Sequence, residues 1–185
     1  MVSLASLWLP IVLSAVIVFI VSSIMHTVLK YHNSDFHQLP EEDKVLASLR
    51  SVNLSPTMYV FPFCTHQNMK SPEALAKYKQ GPVGFLKLLP NGPPNMPKFL
   101  VQWFVFCLIV SFFVAYLTAH TVVPGARYLA VFRVAGTAGF LAYGLAHISD
   151  GIWKGQGWSA TVKEVVDGLI YGLFTAGTFG WLWPR

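Results

Sequence analysis

The chain has 185 residues, of which 54% are hydrophobic and 11% charged, with a formal net charge of +5. Soluble domains carry about 25% charged residues, so much of this surface is expected to face lipid. The basic residues stand singly or scatter through one loop, and no nucleic-acid motif accompanies them, so the positive charge reads as facing anionic headgroups and no nucleic-acid partner is expected.

Residues 1–32 hold the first predicted transmembrane helix, over about 7–29. It is apolar apart from Ser14, Ser22, Ser23, His26 and Thr27, and long enough for a span of about 20 residues. No Lys or Arg precedes it and no small-x-small cleavage site follows it, so it reads as an uncleaved helix rather than a signal peptide. Pro10 sits in its first turns, where a missing N–H costs least.

Residues 33–97 read as a cytoplasmic surface segment of mixed helix and extended chain. Leu39 to Arg50 has Pro40 at its start, acids in the first turn and one apolar face, the marks of a short amphipathic helix. Ser71-Pro-Glu opens another short helix that stops at Gly81-Pro82. Met58-Tyr-Val-Phe and Val83 to Leu89, bounded by prolines, are expected to be extended and to pair. The aromatic and aliphatic content is too high for a disordered linker.

Residues 98–185 hold three further predicted spans, at about 99–119, 128–148 and 162–183. Thr161-Val-Lys-Glu164 matches a capping box that would start the last of them. The fold class is therefore all-α: an integral membrane protein with four transmembrane helices. Lys30, Lys98, Lys154 and Lys163 cluster on one side and only Arg127 and Arg185 lie on the other. By the positive-inside rule both termini are then outside. Trp8, Trp181 and Trp183 mark the outer interface, and Trp103, Trp153 and Trp158 the inner one.

Small residues recur every fourth position on the last span: Gly168, Gly172, Ala176 and Gly180. Ala138, Ala142 and Ala146 make a similar row on the third. Such rows let helices approach closely. They predict either packing within one chain, which the short connection favours, or a homo-oligomeric or partner interface.

His26, His147, Asp150 and Asp167 are expected at one depth near the inner interface. Imidazoles from two helices with a neighbouring carboxylate could ligate haem or a transition metal, with His26 and His147 as the ligands, or relay protons in a small transporter. Interfacial hydrogen bonding and helix-dipole pairing are the alternative. His32, His37, Cys64 and His66 are also zinc-ligand types, but their spacing matches no standard finger. Arg133, inside the third span, either snorkels to the outer headgroups or marks an anion or lipid contact. Cys64 and Cys107 form no C-x-x-C pair and are expected as free thiols.

Neither GxSxG, a P-loop, GxGxxG nor a kinase signature is present, so no familiar catalytic mechanism is expected and no catalytic residue is assigned. The first functional reading is a non-enzymatic scaffold or accessory subunit of a membrane complex. A haem- or metal-binding redox protein and a small transporter using Asp167, Asp150 or Arg133 are the alternatives. The segment from Tyr31 to Arg50, with Gly81-Pro-Val-Gly-Phe-Leu, Leu89-Pro-Asn-Gly-Pro-Pro, Val101-Gln-Trp-Phe and the closing Gly177-Thr-Phe-Gly-Trp-Leu-Trp-Pro, resembles a group of small bacterial four-helix inner-membrane proteins. The resemblance runs over nearly the whole chain. It implies a bacterial inner membrane and carries over no known activity.

Overall fold

The computed structural model describes residues Val2 to Arg185. The chain forms two compact units, Met1–Phe36 with Asn95–Arg185, and His37–Pro94.

The first unit is a helical bundle. Helix α1, Trp8–Ile24, follows a 3-10 turn at Leu4–Leu7 and runs into a π-helical turn at Met25–Leu29. Lys30 then takes a left-handed conformation, φ 52°, and a 3-10 turn follows at Tyr31–Asp35. In the second unit α2 is Glu42–Ser51, β1 is Met58–Phe61, α3 is Pro72–Gln80 and β2 is Gly84–Lys87. The strands pair antiparallel, with Met58 opposite Lys87 and Val60 opposite Phe85. Ser71 caps α3, its hydroxyl accepting from the Ala74 N–H at 3.2 Å.

Returning to the bundle, α4 is Met96–Thr121, capped by the Asn95 side chain on the Lys98 N–H at 3.1 Å. Helix α5 is Tyr128–Tyr143, α6 is Ile148–Trp153 and α7 is Trp158–Trp181. The expected third span is thus interrupted. It passes through Gly144 and a 3-10 turn at Leu145–His147 before resuming as α6. The last helix starts a turn earlier than the capping box proposes, with Gly157 at its N-cap. Thr161 lies inside it, buried, its hydroxyl without a hydrogen-bond partner among the described residues. A Cβ on Gly151 would come within 2.9 Å of that hydroxyl, so close packing of α6, rather than capping, explains why Thr161 is buried.

Three helical stretches are long and apolar enough to cross a membrane: Leu4–Leu29, Met96–Thr121 and Tyr128–Trp153. The apolar window of each is only 28% buried in the protein, so most of its greasy surface points outward. Helix α7, expected as a fourth span, is not among them. Its glycines and threonines, with Lys163, Glu164 and Asp167, dilute its apolar character.

Helix α7 packs closest against α5, and the small-residue stripe explains how. A Cβ on Gly168 would sit 2.2 Å from the Gly144 Cα, one on Gly172 would sit 2.8 Å from the Phe140 nitrogen, and one on Gly180 would sit 2.7 Å from the Tyr128 ring. Ala176 is buried beside Gly136. The opposing row on α5 is not the expected alanines. Gly136, Gly139, Phe140 and Gly144 make the contact, whereas Ala142 and Ala146 are exposed and Ala138 is half-buried. Both rows step by four residues, but Gly136, Phe140 and Gly144 sit two positions before Ala138, Ala142 and Ala146, roughly 200° of turn at 3.6 residues per turn, so the glycine row faces α7 when the alanine row faces away.

Inside the bundle polar side chains join α1 to α4. The Ser14 hydroxyl donates to Ser111 at 2.9 Å, and the Trp103 indole N–H donates to Ser22 at 2.8 Å. Cys107 is buried in α4 and Cys64 is half-buried in the second unit, both free.

Candidate functional site

The residues that follow α1 build a polar cluster over one face of α7. The left-handed turn at Lys30 reverses the chain, so that Tyr31 to Asp35 fold back beside His26. The His26 and His32 rings stack with centroids 4.7 Å apart and planes 10° from parallel.

Both imidazoles meet Asp167, a carboxylate with only 5% of its side chain exposed. His32 Nε2 lies 3.0 Å from Asp167 Oδ2, and His26 Nε2 lies 3.8 Å from the same oxygen. The Nδ1 atoms are engaged on the far side of each ring. His26 Nδ1 is 2.9 Å from the Ser22 carbonyl, and His32 Nδ1 is 3.0 Å from Asp35 Oδ2. The other Asp167 oxygen accepts the Tyr31 hydroxyl. Asp35 is fixed in turn by Lys163 Nζ at 2.6 Å, which also donates to the Tyr31 carbonyl at 3.0 Å and to Ser34 Oγ at 2.7 Å. The lysine thus ties the returning chain to the start of α7. Its hydrogen bond lowers the pKa of Asp35 below the ordinary 3.8, desolvation opposes this, and the His32 hydrogen bond adds to it.

A carboxylate only accepts hydrogen bonds. For His32 to bond to Asp35 and Asp167 together while both are ionised, both its ring nitrogens must carry a proton. Alternatively, Nδ1–H stays on Asp35 and Nε2 offers its lone pair to a cation. His26, His32 and Asp167 present three ligand atoms within 4.8 Å of one another. With only those three, at least one position on a bound ion is left open.

No family model, curated protein or solved structure matches this chain.

The expected inner-interface group divides. His26 and Asp167 lie together, while His147 pairs with Glu164 at 3.1 Å and Asp150 with Lys154 at 2.5 Å. The histidine that shares Asp167 with His26 is therefore His32 and not His147, which Glu164 holds elsewhere on α7. Glu164 also accepts from the Gln156 amide at 2.7 Å. Sequence reasoning missed His32, Tyr31 and Asp35 as members. The available signal was the density of Tyr31-His32-Asn33-Ser34-Asp35 directly after an apolar helix, but nothing local announces a left-handed lysine. Cys64, His66 and His37 belong to the second unit and His32 to the first. Arg133 is exposed and makes no ion pair among the described residues. It lines a groove of about 260 Å³ with Phe132, Gly136, Thr137, Phe140, Leu169 and Leu173.

Proposed function

We propose that this chain is a multi-pass membrane protein that binds one divalent transition-metal ion through His26, His32 and Asp167. The observation that carries the reading is the convergence of two Nε2 atoms on one nearly buried carboxylate oxygen while both Nδ1 atoms are already anchored. Metal-ligating histidines ordinarily donate the second ring N–H to a carboxylate or carbonyl, which fixes ring orientation and raises ligand basicity. Asp35 and the Ser22 carbonyl stand in those two positions.

Two imidazoles and one carboxylate suit zinc or ferrous iron, with room for water or substrate. The stacked rings favour a single ion over haem. A bis-histidine haem needs its two ring nitrogens to face each other across the porphyrin, and here both turn to the same carboxylate. The small-residue stripe lies against α5 within the chain, so it lends no weight to a partner interface.

In this reading α7 is the fourth crossing. Its 24 residues rise about 36 Å at 1.5 Å each, enough for the hydrocarbon core. Its polar side chains are accommodated because much of the helix is buried against its neighbours. A bacterial inner membrane with Lys163 and the site on the cytoplasmic side fits the charge distribution.

The test is elemental analysis of detergent-purified protein reconstituted with zinc and freed of loose ions by gel filtration. About one equivalent retained by the wild type and by His147→Ala, and lost in His32→Ala, is the expected pattern. A wild type that retains none, or a His32→Ala variant that retains as much, contradicts the site.

A further inference from the structure

The second unit leaves an apolar sheet face bare. Cross-strand partners share a face, so Met58, Val60, Phe85 and Lys87 lie on one side of the β1–β2 ribbon and Tyr59, Leu86, Phe61 and Gly84 on the other. On the first side Met58 is 50% exposed, Phe85 47% and Val60 41%. Phe63 and Val83, flanking the strands, are 76% and 59% exposed. On the second side Tyr59 and Leu86 are half-buried, and Phe61, 37% exposed, lays its ring 3.5 Å from where a Cβ on Gly84 would be. The first face is therefore the more open of the two, with a lysine at its edge. A contiguous exposed apolar patch on a small unit marks an interaction surface.

We infer that this face docks into the headgroup–acyl boundary of the bilayer that holds the helices. Two observations select lipid as the occupant. The chain enters the unit at His37, shortly after the apolar stretch ends at Leu29, and leaves it at Pro94, just before α4 begins at Met96. At about 3.5 Å per residue of chain, neither end of the unit can be far from a helix long and apolar enough to cross a membrane. The unit is also basic. Lys44, Arg50, Lys70, Lys77, Lys79 and Lys87 outnumber Glu41, Glu42, Asp43 and Glu73, which complements anionic headgroups. An aromatic and aliphatic patch edged by lysine is the composition of an interfacial anchor: the apolar groups enter the boundary and the ammonium stays at phosphate level.

The experiment uses the full chain in nanodiscs of phosphatidylcholine and phosphatidylglycerol. With Cys64→Ser and Cys107→Ala removing the native thiols, a bimane label is placed at Val60→Cys or Phe85→Cys. Ile109→Cys, exposed in the middle of α4, sets the lipid reference, and bimane–glutathione sets the aqueous one. Docking predicts quenching by shallow doxyl lipid at positions 60 and 85 about twofold or more above the aqueous reference, with aqueous iodide largely excluded. Iodide quenching equal to the aqueous reference overturns the proposal. So does protection from both quenchers, the mark of a face covered by protein, whether a second copy or another partner. A second readout needs no substitution. A lipid-borne diazirine photolabel should mark peptides containing Met58–Phe61 and Gly84–Lys87 in the wild type, and its absence from both likewise overturns the proposal. Neither readout involves a metal, so the outcome is separate from that of the proposed ion site.

Discussion

His32 is the residue on which the site turns, because it touches Asp35 with one ring nitrogen and Asp167 with the other. Replacing Asp35 by Asn removes the orienting carboxylate and keeps every proposed ligand. Loss of such a partner ordinarily costs about 10–100-fold in metal affinity. Asp35→Asn should weaken cobalt(II) binding by that amount in a calorimetric titration, and an unchanged affinity would remove Asp35 from the site. The pH dependence has a definite sign. A metal takes the Nε2 lone pair, so each imidazole proton displaced lowers affinity about tenfold per unit of acidification. Asp35 does not set that loss. Its pKa is depressed by Lys163, so its contribution to stability is present above the ordinary 3.8 and goes only as pH falls through the still lower folded value. Cobalt(II) affinity should therefore fall as pH is lowered while Asp35 stays ionised above 3.8, and an affinity indifferent to acid in a calorimetric titration would contradict imidazole ligands. Half of this site was legible in the chain. His26 and Asp167 stood out as ionisable groups in apolar helices, where they are rare. His32 was read at an interface because its position depends on the reversal at Lys30, a backbone choice that no lysine announces.

Among the elements, the contact of α5 with α7 is the one most tightly specified. Gly168→Ala would drive a methyl group into the Gly144 backbone at 2.2 Å, and backbone cannot swing aside as a side chain can. The helices must part, at a cost of about 1–3 kcal/mol by the usual scale of overpacking. Gly177→Ala is the matched control, its Cβ reaching only the Tyr128 hydroxyl at 3.6 Å. Thermal unfolding in detergent should separate the two, and equal stability would refute the packing argument. Loss of the Ser14–Ser111 bond in Ser111→Ala should cost less, about 0.6 kcal/mol, the average for hydrogen bonds between helices in membranes. The stripe on α7 could be read from spacing alone because a residue without a side chain on every turn has few other uses. The facing row could not, since alanines and glycines alternate along α5 and only the crossing geometry chooses between them. The break at Gly144 was hidden for the same reason: the apolar pattern runs straight through it.

At the scale of the whole molecule, three helices are long and apolar enough to cross a bilayer and turn most of that apolar surface outward, and the proposed function takes the 24-residue α7 as a fourth crossing. An even number of crossings returns the chain to the side it left. Reporter fusions after Arg185 and before Met1 should therefore both be active outside, and signals on opposite faces would leave α7 short of crossing. The ion site most directly carries the account. Its decisive measurement is the visible absorption of the purified protein titrated with cobalt(II). The account predicts d–d bands that saturate at about one equivalent, with the intensity of a low-coordinate nitrogen–oxygen site, and that vanish in His32→Ala. A spectrum no different from aqueous cobalt, in wild type as in variant, would contradict it.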